Sequence, residues 1–306
     1  MSHGAKVIAH SKSDLNFEVI TLEVEMPRIV LAEFNTHRMF SRNSASSRAI
    51  PVEKMLKRVL EEPYIPTHWG KNQRGMQAER EVDEAERQAA RSEWLWARDA
   101  AVERAQALLR IGIHKQITNR LLEPFMWHTV VVTTTEISNF MHLRNNAAAH
   151  PDIRLSAECM DAAILASTPK TLGRGEWHLP YVQESELASE ELNAKQLVQL
   201  STARCARVSY LTQDGKRELD KDFELHDRLL GPGHMSPLEH PCRPMTPHEL
   251  DLFQRVEGSI SFVEGARPPM NDARRTYFCG NFNGWVQYRK TIPGEHDIVG
   301  YRSSNP

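Results

Sequence analysis

Residues 17–34, FEVITLEVEMPRIVLAEF, alternate apolar and polar side chains around a single proline, Pro27. A period of two puts one face of an extended chain into a core, so the stretch reads as two strands or one bulged strand, and a sheet must be built around it. The residues that follow narrow the chemistry. EFNTHRMFSRNSASSRAIP, residues 33–51, holds three arginines, one histidine, four serines and two asparagines in nineteen positions. Guanidinium forks and short hydroxyls at that density suit a phosphate and the polar edge of a base or ring. A solvated basic turn or a nucleic-acid-binding loop draws on the same residues.

Charge separates those readings. The formal net charge of −2 over 306 residues offers no bulk attraction for a polyanion. Phosphate recognition must then come from local arginine clusters, which points to a small phosphorylated ligand and away from a nucleic-acid partner. With 40% hydrophobic and 25% charged residues the chain reads as a globular enzyme with a sizeable core. No run of about 18 apolar residues occurs, and MSHGAKVIAHSKSD lacks the apolar segment of a signal peptide. A cytoplasmic location with no membrane partner is expected. Cys159, Cys205, Cys242 and Cys279 form no C-x-x-C pair, which argues against a disulfide framework and a cysteine zinc site. Cys159, in LSAECMDAA, reads as a core position.

Further along, residues 76–110 are rich in Ala, Glu, Arg and Leu and are closed by Gly112, which predicts a long helix. PFMWHTVVVTTT carries a β-branched run typical of a strand. Thr133-x-x-Glu136 has the form of a capping box, so a helix is expected to start near residues 133–135. In it Ile137, Phe140, Met141 and Arg144 fall on one stripe, and a guanidinium in line with apolar residues must either extend past the core edge or pair with a carboxylate. Two further helical stretches are IRLSAECMDAAILAS and ESELASEELNAKQLVQLSTARCARVSY. GHMSPLEH crowds His234, Ser236, Glu239 and His240 together, but the spacing is not H-E-x-x-H. SPLE reads as a helix start, with Ser236 capping and Pro237 at the first position, so no metal site is expected. The absence of G-x-G-x-x-G and of G-x-x-x-x-G-K-[ST] argues against a Rossmann crevice or a Walker loop.

These motifs together resemble the flavin-dependent thymidylate synthase family. The family signature is Arg-His-Arg, seven residues, Ser, and an Arg two positions later; the corresponding run here is Thr36-His37-Arg38, seven residues, Ser46 and Arg48. NRLLEPFMWHT and SNFMHLRNNAAAHPDIR resemble the family's arginine-bearing segment before a strand and its Asn-Phe-x-x-Leu-Arg helix with a following His. ARVSY and ELHDRLLGPGHMSPLEH resemble its usual amino-terminal section, displaced here to residues 206–240. Such a permutation is tolerated where chain ends lie close together at the surface.

The resemblance implies an α/β (α+β) fold, a mixed sheet flanked by helices, in a single catalytic domain over residues 1–306. The signature and arginine-helix segments would span 15–160 and the displaced segment 200–295. It implies FAD, with NADPH and methylenetetrahydrofolate as co-substrates, and transfer of a one-carbon unit to C5 of dUMP by a homotetramer with sites between subunits. His37, Arg38, Asn43, Asn139, His150, Ser236 and Glu239 would border the flavin, and His234 would line the folate side. Glu33, Ser46, Arg48, Arg120 and Arg144 would hold dUMP, with Arg144 as the catalytic residue, stabilising negative charge at the N3/O2 edge of the pyrimidine. The chain departs from the family at Thr36, Ser44, Ala49, Thr133 and Thr135, where Arg, Glu, Tyr, Asn and Arg are usual. Those departures leave hydroxymethylation of the pyrimidine, another nucleotide, or a homologue without turnover as alternatives.

Overall fold

The computed structural model describes residues 2–208, 218–252, 281–293 and 295; Cys279 lies outside them. Strands β1 (Gly4–Ser13) and β2 (Glu18–Pro27) form an antiparallel hairpin. Its tight turn is closed by Ser13 N to Phe17 O at 2.8 Å and passes through Asn16 at φ 68°, a left-handed conformation that Asn tolerates. The strand read from residues 17–34 therefore stops at Pro27. The chain then makes a 3-10 turn at Arg28–Val30 and a short helix α1 (Leu31–Phe34). The apolar residues of RIVLAEF fit a helical face as well as a strand: Val30, Leu31 and Phe34 are all buried on one side.

Strand β3 (Ser41–Ser44) is followed by helix α2 (Val52–Glu61) and by the long helix α3 (Glu84–Arg110). The long helix starts eight residues later than the composition predicts because Asp83 and Glu86 form a reciprocal capping box there. Its end is followed by Gly112 at φ 80°, a left-handed position that suits glycine. Helix α4 (Lys115–Thr118) and a 3-10 run at Asn119–Phe125 lead into strand β4 (Trp127–Thr134). Helices α5 (Ser138–Arg144) and α6 (Pro151–Leu165), strand β5 (Lys170–Leu172) and helices α7 (Glu184–Leu187), α8 (Ala194–Arg207) and α9 (Leu219–Leu230) follow. Strands β6 (Cys242–Pro244) and β7 (Trp285–Gln287) pair antiparallel.

The main sheet has the order β3-β4-β2-β1-β5, antiparallel except for the β1–β5 pair. It is a mixed sheet flanked by helices. One face carries Ile20, Leu22, Val24, Met26, Val130 and Val132 and packs against Phe34, Phe40 and Phe140 and against Ile153, Ala157 and Met160 of α6. Side chains of this size each contribute about 1.5–3 kcal/mol when fully buried. The opposite face is covered by the later part of the chain: Val131 meets Cys205 and Val208, and Val19 meets Leu172, Cys242, Met245, Phe282, Trp285 and Val286. Coverage on both sides is why TVVVTTT shows no alternation. It also corrects the capping-box reading. Thr133 and Thr134 are buried strand residues, and helix α5 begins only at Ser138, whose backbone N–H donates to Glu136 at 2.8 Å.

Candidate active site

The chain between α1 and β3 is a turn with an aromatic floor. Phe34, Phe40 and Phe140 pack on one another, and the His37 ring lies 4.9 Å from Phe140 and 5.9 Å from Phe40, centroid to centroid. Arg42 of β3 holds the turn from outside, donating through Nη1 to Phe34 O at 3.3 Å and His37 O at 3.2 Å. Thr36, where the family has arginine, donates its hydroxyl to Glu33 O at 2.7 Å and so serves the turn itself.

Arg144 reaches this turn from the last turn of α5, where a cation is favoured by the helix dipole. Phe140 is buried, and Ile137 and Met141 pack against the same core, so the stripe read from the sequence is real. Arg144 Nε donates to His37 Nε2 at 3.0 Å, and its Nη1 lies 3.4 Å from Glu33 Oε2. Of the two outcomes open to this guanidinium, pairing with a carboxylate is the one found. Burial first, then the Arg144 and Arg42 cations, hold the His37 imidazole below its ordinary pKa. A neutral ring can accept the Arg144 N–H.

The remaining predicted residues fall into three groups. Arg38 and Arg48 are exposed, and among the described residues no carboxylate pairs with either. Ser46 begins the turn after β3, accepting from Ala49 N at 2.9 Å, while Asn43 is buried and donates to Cys205 O at 3.4 Å. Arg120 is tied to Glu123 at 2.7 Å, and the same carboxylate oxygen accepts from Ser47 Oγ at 2.7 Å. Asn139 is exposed on α5, and His150 caps α6 by accepting from Asp152 N at 3.3 Å; neither touches the Arg144 cluster. The displaced motif forms a 3-10 turn at Ser236–Glu239 that packs on β3, with His234 and Ser236 exposed. The position before that turn is Met235 without a side-chain cap, so Ser236 is not the cap the sequence suggested. Glu239 accepts from Arg289 Nη1 at 2.6 Å.

What holds the displaced motif to the sheet is a buried polar seam that sequence reasoning missed. Ser11 Oγ meets His178 Nδ1 at 2.8 Å, and His178 Nε2 meets Thr21 Oγ1 at 2.8 Å. Thr21 Oγ1 meets Thr133 Oγ1 at 2.6 Å, and Thr133 Oγ1 meets His240 Nδ1 at 2.8 Å. Both imidazoles are fully enclosed, and burial pushes each down to about 3, so they are neutral. Ser41, opposite Thr133 in the register, extends the polar row by accepting from Asn281 at 2.7 Å and Gln287 at 2.9 Å. The one available signal was Thr133 itself, a threonine inside a β-branched run.

A mixed sheet flanked by helices, with an arginine–histidine pair just ahead of its edge strand β3, defines an α/β protein. The chain belongs to the thymidylate synthase complementing protein family, whose model it matches over residues 5–170, more than half its length. Among solved structures it is similar to the UMP/dUMP methylase PolB from Streptomyces cacaoi bound with 5-Br UMP, at 19% identity and a TM-score of 0.44, over 54% of this chain and 89% of that one. The same methylase bound with 5-Br dUMP gives 18% identity and a TM-score of 0.42, over 54% and 90%. None of the curated proteins compared matches this chain. The family's flavin suits the donor set present, since exposed Arg38, which no carboxylate pairs among the described residues, offers a cation for the diphosphate of such a cofactor.

Proposed function

We propose that this protein is a flavin-dependent thymidylate synthase that methylates dUMP at C5. The observation that carries the reading is the Arg144 cluster: a guanidinium held at 3.0 Å from His37 and 3.4 Å from Glu33, with exposed Arg38 on the same turn and exposed Arg48 on the turn after β3, neither paired with a carboxylate among the described residues. Family membership supports the same reading. In it, Glu33, Ser46, Arg48, Arg120 and Arg144 hold dUMP. His37, Arg38, Asn43, Asn139, His150 and the 236–239 turn border FAD, with His234 on the folate side.

Bound FAD would supply the redox and one-carbon carrier chemistry, with NADPH and methylenetetrahydrofolate as co-substrates. The chain's own contribution is electrostatic. Arg144 donates to the N3/O2 edge of the pyrimidine and stabilises the negative charge that makes C5 nucleophilic, so no covalent adduct to the enzyme is needed. Because Arg144 contacts His37 on the flavin side and Glu33 on the nucleotide side, it sets the relation between the two planar ligands. A homotetramer with sites between subunits completes the proposal.

Purified protein should bind FAD and dUMP together and show flavin absorbance. Incubation with all co-substrates should give a nucleotide heavier by one methylene unit. A hydroxymethyl product would instead assign the related pyrimidine hydroxymethylase reaction, and a protein that binds no FAD would overturn the proposal.

A further inference from the structure

The loop that carries Ser46 and Arg48 is gripped from one side by three residues at four-residue intervals: Lys115, Asn119 and Glu123. Lys115 sits on α4 and Asn119 and Glu123 on the 3-10 run that continues it, and all three side chains reach residues 47–50. Lys115 Nζ donates to Ala49 O at 2.9 Å. Asn119 Nδ2 donates to Ser47 O at 2.7 Å and to Ile50 O at 2.9 Å. Glu123 Oε1 accepts from Ser47 Oγ at 2.7 Å, and the same oxygen accepts from Arg120 Nη1 at 2.7 Å and Arg28 Nη2 at 3.4 Å. Asn119 is fully buried, so its amide protons have no water to turn to, and the two carbonyls they satisfy are fixed relative to each other.

The family signature does not contain this row: Lys115 and Asn119 contact backbone carbonyls alone, and Glu123 contacts the side chains of Ser47, Arg120 and Arg28. Its effect is to set the path of residues 47–50 and thereby aim Ser46 and Arg48. Through Glu123 the same row ties that loop to Arg120. Two loops that must converge on one anion are thus locked to each other before any ligand arrives.

We propose that Lys115 and Asn119 are positioning residues for the phosphate end of the nucleotide site, with Glu123 as the link that registers Arg120 against the loop. This rests on the reading that Ser46, Arg48 and Arg120 hold dUMP, and it gives them the phosphate because Arg144 takes the pyrimidine edge. A device acting on the phosphate end has a specific signature: it affects ligands that carry the phosphate and leaves alone those that lack it. Asn119→Asp keeps the shape of the side chain but removes both donors. Lys115→Met keeps an apolar stem and removes one, at a partly exposed site where folding is little affected.

The experiment measures binding of dUMP and of deoxyuridine to the FAD-loaded full-length protein, together with kcat and KM. Asn119→Asp is expected to weaken dUMP by about tenfold or more, as loss of two backbone-fixing hydrogen bonds implies, while deoxyuridine binding and kcat at saturating dUMP stay near the parent values. Lys115→Met is expected to show the same pattern at about threefold. If Asn119→Asp does not fold, Lys115→Met decides the question. Equal loss for dUMP and deoxyuridine, or no loss for either, in the folded variants would overturn the inference. Failure of the unsubstituted protein to bind dUMP at all would instead overturn the nucleotide assignment on which it rests.

Discussion

Arg144 Nε and His37 Nε2 share a hydrogen bond of 3.0 Å, which requires the imidazole to be neutral and to carry its proton on Nδ1. The Arg144 cation is one of the causes that hold the His37 pKa below its ordinary value. Arg144→Ala removes that cation, so the His37 pKa should rise, and an NMR titration of the ring should register the change. The same variant should lose about a hundredfold to a thousandfold in turnover of dUMP, the usual effect of removing an electrostatic contact to developing charge. Its circular dichroism and thermal transition should be close to those of the parent, because Arg144 is partly exposed and Phe140 carries the packing of α5. An unchanged His37 titration would show that the pair does not set the ring's protonation.

The elements closest to this cluster were the most legible in the sequence. β2 announced itself by apolar–polar alternation and β4 by its β-branched run, and the apolar stripe of α5 is found with Arg144 in line with it. Misreadings arose where one pattern fits two structures. RIVLAEF satisfies both periods over so short a run, and Thr133-x-x-Glu136 has the letters of a capping box but its Thr133 lies on a strand buried on both faces. The seam through His178 and His240 was not legible at all, since its members come from positions 11, 21, 133, 178 and 240 and meet only in the folded chain. The clamp of Lys115 and Asn119 on residues 47–50 is hidden for a related reason: side-chain contacts to backbone carbonyls leave no complementary residue type to recognise.

Thr133 links the sheet to the displaced motif through a single hydroxyl bonded to Thr21 and His240. Thr133→Val keeps the shape and strips both contacts, leaving His240 Nδ1 as well as the already unpartnered Nε2 without a bond among the described residues. A buried polar group left unsatisfied costs about 1–3 kcal/mol, and the urea midpoint should fall accordingly with an unchanged slope. A midpoint equal to that of the parent would show that the seam adds no stability.

Cys205 and Cys242 are buried and Cys159 is partly so. Burial raises the Cys205 thiol far above the ordinary range, and burial with the neighbouring Glu158 raises that of Cys159. Neither is poised as a nucleophile. Single replacement of Cys159, Cys205 or Cys242 by alanine should therefore leave turnover within about threefold of the parent, with any loss following stability rather than chemistry. Abolished turnover in a fully folded variant would point to a covalent route.

Gly284 occupies φ 74°, and a Cβ placed there would come within 2.2 Å of Phe17 Cγ. The ring of Phe17 belongs to the β1–β2 turn and packs on the cluster formed by Val19, Trp285 and Val286, so it cannot move aside without opening that cluster. Gly284→Ala combines a left-handed backbone with an overlap and should cost about 2–4 kcal/mol. Phe17→Ala removes the overlap but also a packed ring. The double variant should then be more stable than the sum of the two single losses predicts, and a denaturant-based mutant cycle measures that coupling. Strict additivity would exclude the overlap as the cause.

Acid should loosen the second face of the sheet more than the first, because His178 and His240 both lie there, whereas on β4 the first face carries His128, likewise held to about 3 by burial and Arg28. His178 and His240 have folded-state pKa values of about 3 against an ordinary 6.5, so between those limits the unfolded chain binds protons that the folded chain refuses. Each therefore contributes stability that is present in full above pH 6.5 and is lost as pH falls toward 3. For His178 the neighbouring imidazoles of His10 and His240 act in the same direction as burial, and no carboxylate among the described residues opposes them. For His240 burial alone is the cause. Hydrogen exchange followed from pH 7 to pH 4 should show protection falling earlier around residues 178, 205 and 240–242 than around the α6 face at 153–160. His178→Gln, which can bond Ser11 or Thr21 without a titrating ring, should flatten the pH dependence even if it lowers stability at neutral pH. A pH profile as steep as that of the parent would show that these histidines are not what acid acts upon.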